Sequence, residues 1–167
     1  MSPQTMTEKD QFINAWEREY GITSKLLKGY PAGKEDFRPA AKSRTARELA
    51  WIFMMEEKVI EAAAAGELTF TAPPPPPPVP VSEIVSMFEK SHREVLAKIN
   101  ATPASRLDAT IKFPAGPGKM ADTRVGQVFW NMLMDSIHHR GQWSVYLRMV
   151  GAKVPSIYGP SGDEPWM

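Results

Sequence analysis

The sequence contains no cysteine among its 167 residues. This absence excludes disulfide frameworks, zinc sites built from thiolates and catalysis by a cysteine nucleophile, and it is typical of the reducing cytoplasm. The chain also lacks an apolar run of the ~20 residues that a membrane span requires. Residues 1–6 have neither the basic start nor the apolar centre of a signal peptide. These features predict a cytoplasmic protein with no membrane partner.

An excess of charge of one sign is missing as well. The formal net charge is +1, and the lysines and arginines are scattered among acids and apolar residues. Because binding to nucleic acid requires a clustered positive surface, we expect no nucleic-acid partner. Apolar residues make up 43% of the chain and charged residues 23%, which is an ordinary globular composition. The length suits one core, so we predict one domain over residues 1–167.

Apolar residues recur at spacings of three and four in four stretches, which is the pattern of amphipathic helices. The predicted helices run from about Thr7 to Lys28, from the capping box at Thr45 to Gly66, from an N-cap at Ser82 to Asn100, and from Asp122 or Thr123 to Val150. Glu17, Arg18 and Glu19 fall on the polar side of the first helix. Outside the helices, Ile111–Phe113 is a candidate for a brief extended piece. The pattern predicts an all-α four-helix bundle.

A run of prolines at 73–78, followed by Val79 and Pro80, separates the second and third helices. Successive prolines cannot donate helical hydrogen bonds and favour an extended polyproline II conformation. At ~3.1 Å per residue the segment 73–80 spans roughly 20–25 Å, which is enough to carry the chain along the bundle. We therefore predict a long crossover between parallel helices, in an up-down-down-up arrangement. A ligand for a proline-recognising partner is the alternative interpretation.

The fourth helix places two polar residues on an apolar face. Asp135 and His139 are four residues apart and therefore stack on one side of a helix. Glu56 is the polar member of the inner face of the second helix. A buried carboxylate is costly unless it is paired or bound to a metal. Two interpretations remain open: a local hydrogen-bonded pair of Asp135 and His139, or a divalent-metal site in which Glu56 supplies a third ligand.

The other two histidines carry weaker signals. His92 lies near the edge of the apolar stripe of the third helix, and we interpret it as a partly exposed surface residue. His138 points about 100° away from His139, as a residue at a helix edge or an interface would. Trp143 is most simply explained by packing in the core or at an interface.

Three motifs resemble those of the DinB/YfiT-like superfamily of metal-dependent bacterial proteins. They are Thr45–Trp51 (TARELAW), His138–Gln142 (HHRGQ) with Tyr146–Arg148 (YLR), and Val154–Ser161 (VPSIYGPS), in the order and spacing of the family across nearly the whole chain. The resemblance implies a four-helix bundle with a long crossover between helices two and three, assembled as a homodimer. It also implies activities such as S-transfer from low-molecular-weight thiols, for example bacillithiol, or mycothiol-dependent isomerisation of maleylpyruvate.

The family typically holds nickel or zinc with three histidines, one on helix two and two in an H-x-x-x-H pair on helix four. Only His139 matches this pattern, since Asp135 occupies the first position of the pair and Ile52 the position on helix two. Glu56, one turn after Ile52, is a candidate replacement ligand. Such an oxygen-rich set favours manganese or iron over nickel or zinc. Alternatively, the metal site is lost and the pair remains in a pocket.

The resemblance leads to two hypotheses for function. The first is metal-dependent transfer of a thiol to an electrophile, or a related hydrolase or isomerase reaction, in a pocket between helices two and four. We place Ile52, His138 and Trp143 at this pocket, beside the candidate ligands. The second hypothesis is a non-catalytic dimeric module that binds a small molecule or a protein. The loss of the helix-two histidine at Ile52 favours the second.

Overall fold

Helices form most of the chain in the computed structural model, which describes residues 5–69 and 74–166. The elements are α1 (Glu8–Lys28), α2 (Ala46–Ala65), α3 (Val81–Ala101), a 3-10 helix (Ala104–Asp108), β1 (Thr110–Gly116), β2 (Lys119–Arg124) and α4 (Val125–Met149). The prediction of a four-helix, mostly α architecture is confirmed. No helix of the described residues is both long enough and apolar enough to cross a membrane.

The contacts between α2 and α3 show that the two helices are parallel. At their amino-terminal ends, Arg47 Nε donates to the carbonyl oxygen of Val79 at 3.1 Å. Further along both helices, Glu57 bonds to His92 at 2.8 Å. Because the contacts advance in the same direction along both helices, the predicted crossover is confirmed. Within it, Pro73 and residues 70–72 lie outside the described residues.

The first and fourth helices, α1 and α4, complete the up-down-down-up order. Trp130 Nε1 on α4 donates to Glu8 of α1 at 3.3 Å, and Trp143 Nε1 donates to the carbonyl oxygen of Leu26 at 3.2 Å. Contacts that advance together in this way make α1 and α4 parallel. α4 runs against α2, since Tyr146 lies beside the start of α2 and His139 beside its middle.

Capping explains where α2 begins, but the prediction for α3 was wrong. Thr45 and Glu48 form the predicted reciprocal capping box, with Thr45 N donating to Glu48 at 2.7 Å. α3 begins at Val81, one residue before the predicted cap Ser82. Pro80 precedes the helix with φ −57°, and its carbonyl oxygen accepts the first helical hydrogen bonds. The fixed φ of proline suits this position and replaces a side-chain cap.

A β-hairpin occupies the region before α4. β1 and β2 pair antiparallel, with Thr110 opposite Arg124. The extended piece predicted at Ile111–Phe113 is confirmed as part of β1. The predicted helix start at Asp122 or Thr123 was wrong, because both residues lie in β2. Asp122 instead pairs across the hairpin with Lys112 at 3.0 Å, a cross-strand contact that a search for helical spacing does not detect.

Candidate functional site

A cavity of about 770 Å³ lies between α2, α4 and the crossover. Its apolar wall is formed by Trp51, Ile52, Met55, Val59 and Met132, and Pro74–Pro76 close one side. Trp51 Nε1 donates to the carbonyl oxygen of Pro74 at 2.9 Å and so attaches the crossover to α2. Size and apolar lining are those of a site for a small molecule.

Glu56, Asp135 and His139 meet at this cavity. Helical geometry places Glu56 one turn after Ile52 on α2, and His139 one turn after Asp135 on α4. His139 Nδ1 shares a 2.8 Å hydrogen bond with Glu56 Oε1 and lies 3.8 Å from Asp135 Oδ1. One candidate ligand atom from each residue lies within 4.8 Å of the other two. The structure thus brings together the three residues predicted from the sequence, and their role as ligands stays a prediction.

Burial changes the protonation of this group. Glu56 is buried, which raises the pKa of its carboxyl to about 7, although the hydrogen bond from His139 opposes the shift. Burial lowers the pKa of His139, but the bond to Glu56 and its charge outweigh this effect and leave the pKa raised. Asp135 is half exposed. Burial thus favours the neutral form of Glu56, and the contact with Glu56 favours the charged form of His139, whereas Asp135 is in contact with solvent.

The donor set fits a divalent cation. Glu56 Oε2 is buried and makes no hydrogen bond within the described residues, although the nearby Ser136 hydroxyl slightly favours the charged form. An unpaired buried oxygen costs about 1–3 kcal/mol, which a metal ion would recover. Ligands bound at about 2.1 Å lie about 3.0–3.4 Å apart in octahedral or tetrahedral sites. The observed separations of 2.8 and 3.8 Å bracket this range.

Of the remaining residues predicted at the pocket, only Ile52 lines it. His138 is exposed on the outer side of α4, where Nε2 contacts the Gln142 amide at 2.9 Å. Trp143 is fully buried in the core beside Leu26 and Tyr30. The placement of both residues was wrong, because His138 projects from the outer side of α4 and Trp143 packs into the core against the end of α1.

The interpretation of His92 as a surface residue was wrong. His92 is only 2% exposed and lies between Glu57 and Glu17, which contact its two ring nitrogens. Its ring stacks on Tyr20 with centroids 3.6 Å apart. The apolar stripe of α3 is bordered on both sides by other helices, so a residue at its edge is still covered.

Glu19 was also misplaced on the polar side of the first helix. It is buried and forms a 2.7 Å ion pair with Arg140, which is buried too. Tyr158 of the carboxyl-terminal segment donates to Glu19 at 2.5 Å, and its ring lies 5.1 Å from the Arg140 guanidinium carbon. Arg140 of the second motif and Tyr158 of the third thus form a part-buried contact that attaches this segment to the bundle.

The cations and prolines that line the pocket were not predicted from the sequence. Arg38, Lys42 and Arg44, from the connection between α1 and α2, line the cavity together with Pro74–Pro76. Neither segment has a helical period that would orient its side chains. The composition of the proline run indicated a spacer, and only its attachment at Trp51 makes it a wall.

The protein is a four-helix bundle in which Glu56, Asp135 and His139 lie together at a pocket between the second and fourth helices. The model of the DinB family matches residues 1–166. The chain therefore belongs to the DinB family, and the resemblance inferred from the three motifs is confirmed.

Individual relatives agree with this assignment. The chain is 28% identical to the uncharacterized protein YrdA of Bacillus subtilis (strain 168) over 156 residues, which cover 93% of this chain and 90% of YrdA. A DinB-like protein from Bacillus cereus ATCC 10987 has a TM-score of 0.75 at 21% identity, covering 93% of this chain and 100% of that one. The DinB-like protein YjoA of B. subtilis has a TM-score of 0.68 at 16% identity, covering 89% and 97%. These two structures support the fold alone.

Proposed function

We propose that the protein is a metal-dependent enzyme of the DinB family, with Glu56, Asp135 and His139 as the protein ligands of one divalent ion. The observation that carries this proposal is the meeting of Glu56, Asp135 and His139 at the pocket, where one candidate ligand atom of each lies within 4.8 Å of the other two. Two carboxylates and one imidazole favour manganese or iron.

The reaction that we propose is transfer of a low-molecular-weight thiol to an electrophile, as the family resemblance implies. In this reaction a carbon–sulfur bond forms, the leaving group departs with its electron pair, and the thiol proton passes to solvent. A bound divalent ion lowers the pKa of a thiol or water at neutral pH. The chain contributes the ligands, and the wall of Trp51, Ile52 and Met55 holds the substrate and excludes water.

Elemental analysis tests the metal. The protein is purified without a metal-affinity tag, supplemented with manganese, iron, nickel or zinc in turn, and desalted. We expect about one equivalent of metal, lost in His139→Ala and retained in the control His138→Ala, whose side chain lies outside the pocket. Absence of stoichiometric metal in the wild-type protein after every supplement would refute the metal-dependent enzyme.

Ile52→His tests the ligand geometry separately. Ile52 lines the pocket one turn before Glu56, so a histidine there adds an imidazole to the set. We expect tighter binding of nickel or zinc than in the wild-type protein, measured by competition with a chromogenic chelator. An unchanged affinity would show that position 52 does not face the ion.

A non-catalytic binding module is the second candidate. The observation that favours it is Ile52, which occupies the pocket position where the family pattern has a histidine. Under this hypothesis the Glu56–His139 hydrogen bond is complete without metal, and the pocket binds its ligand without turnover. Clean metal-free protein that still binds a small molecule would support it.

The homodimer and the cytoplasmic location stay predictions. Met134, Val145 and Met149 are more than half exposed on the outer side of α4, around Gly141, next to which there is open space. We expect a second copy of this chain to cover this face, because exposed apolar side chains gain free energy when they are buried. Sedimentation of the wild-type protein and of Val145→Glu measures the assembly, and the variant should be monomeric.

A further inference from the structure

A group of three cations lies at one end of the pocket. Arg38, Lys42 and Arg44 line the cavity, and none of them forms an ion pair within residues 5–69 and 74–166. We call these three residues the cationic rim. Their neighbour Arg47 behaves differently, because it pairs with Asp36 at 2.5 Å. Arg47 thus forms an ion pair within the protein, whereas the cationic rim forms none among the described residues.

The backbone of the connection that carries the cationic rim is held by hydrogen bonds at three points. Tyr146 of α4 donates to the carbonyl oxygen of Arg44 at 2.7 Å. Ala46 N, at the start of α2, donates to the carbonyl oxygen of Phe37 at 2.9 Å. Tyr30, just after α1, donates to the carbonyl oxygen of Lys34 at 2.9 Å. These contacts fix the backbone of the connection beside the cavity, while the side chains of the cationic rim are exposed.

The carboxylates of the pocket do not neutralise the cationic rim through ion pairs. Glu48 is the nearest in sequence, but its carboxylate accepts from Thr45 N at 2.7 Å as part of the cap of α2. Glu56 and Asp135 face His139. Glu67 lines the cavity from beyond the end of α2. The charges of Arg38 and Arg44 do act on Glu48, but the side chains of the cationic rim are exposed and so remain open to an anionic ligand.

We propose that the pocket binds a small organic anion whose charged head lies on the cationic rim and whose apolar body lies against the wall of α2. Arginine suits such a head because its planar guanidinium can hold a carboxylate or phosphate through two parallel hydrogen bonds. Trp51, Ile52 and Met55 provide the apolar surface between the cationic rim and Glu56. The proposal rests on the proposed function in that it names the substrate class of the same pocket, but it requires no metal.

Binding of matched acids and amides tests the proposal. Full-length protein in chelator is titrated calorimetrically with phenylbutyrate and phenylhexanoate, and with the neutral amide of each. We expect each acid to bind about tenfold more tightly than its amide, which corresponds to about 1.4 kcal/mol, and salt to reduce this difference. Phenylalkyl phosphonates of the same lengths distinguish a carboxylate site from a phosphate site.

The variant Arg38→Gln/Arg44→Gln should lose most of the preference for acid over amide, since only Lys42 of the cationic rim remains. The control Lys34→Gln/Arg93→Gln removes two charges of exposed residues that do not line the pocket and should retain the preference. Circular dichroism checks that each variant is folded, and Lys42→Gln provides a milder single change.

Three results would overturn the proposal: equal binding of acid and amide by the wild-type protein, an unchanged preference in Arg38→Gln/Arg44→Gln, or no binding of any acid or phosphonate at millimolar concentration. Because chelator is present throughout, these results are independent of the elemental analysis. A failed metal site leaves the anion preference measurable, and a failed anion preference leaves the metal measurement intact.

Discussion

Two adjacent glutamates of α2 pair with histidines on different helices, and the two pairs differ in their access to solvent. Glu56 bonds to His139 of α4, and Glu57 bonds to His92 of α3, each at 2.8 Å. The 100° turn between consecutive helical residues directs the two side chains to different neighbours. The Glu56 pair borders the cavity, whereas the Glu57 pair is enclosed by α1, α2 and α3.

The use of the ring nitrogens distinguishes the two pairs. Both nitrogens of His92 are bonded, to Glu57 and to Glu17. Of His139, only Nδ1 makes a hydrogen bond within the described part of the chain. The second oxygen of each glutamate is unpaired, so an unpaired oxygen alone does not mark a site. Access from the pocket and the nearby carboxylate of Asp135, 3.8 Å from His139 Nδ1, are what single out the Glu56 pair.

Removing each histidine should affect stability very differently. His92→Ala leaves Glu57 buried without its partner and removes the stacking on Tyr20, so we expect a loss of about 3–5 kcal/mol. His139→Ala should cost only about 1–2 kcal/mol, because water from the pocket can reach Glu56. Urea unfolding of metal-free protein at neutral pH measures both values. Equal losses of stability would mean that the two pairs are equally shielded from solvent.

Metal affinity should depend on Glu56 and not on Glu57. Glu56→Gln removes a proposed ligand and should weaken manganese binding by at least about 100-fold, since even outer-shell partners are worth about 10–100-fold. Glu57→Gln, which faces away from the pocket, should leave the affinity unchanged. Titration with a competing fluorescent chelator gives both constants. Comparable weakening in the two variants would show that the metal effect is indirect.

The raised pKa of Glu56 predicts the pH dependence of stability. The pKa rises from 4.5 to about 7 on folding because the carboxyl is buried. Between these pH values the folded state retains a proton that the unfolded state has released, so stability should fall as pH rises from 5 to 7. We expect Glu56→Gln to reduce this fall by about 2 kcal/mol, measured by urea unfolding in chelator. An unchanged slope would contradict the burial of Glu56.

Replacing the third acid of each group, Glu17 or Asp135, should produce the smallest difference in stability between the two groups. Glu17 and Asp135 are both half exposed, but only Glu17 contacts its histidine directly by a hydrogen bond. In metal-free protein, Glu17→Gln should cost about 1 kcal/mol and Asp135→Asn less than about 0.5 kcal/mol. Thermal unfolding in chelator ranks the two. Greater destabilisation by Asp135→Asn would assign Asp135 a structural role.

Much of the candidate site was accessible from the sequence because it depends on helical spacing. Asp135 and His139 share a face at a distance of four residues, and Glu56 stands out as a charge on an apolar face. His92 and Glu19 were misjudged for the opposite reason. Each lies at the margin of its own helix pattern, and whether it is covered depends on the neighbouring helices and, for Glu19, on Tyr158.

Local sequence was sufficient for the bundle: amphipathic periods, the capping box at Thr45 and the proline crossover specify four helices and their directions, since each acts within one helix or one connection. The pocket depended on packing. The proline wall attached at Trp51, the cationic rim beside Tyr146 and the enclosure of His92 all require contacts between elements far apart in the chain. Such contacts leave no periodic signal, because each is made by two segments of unrelated pattern.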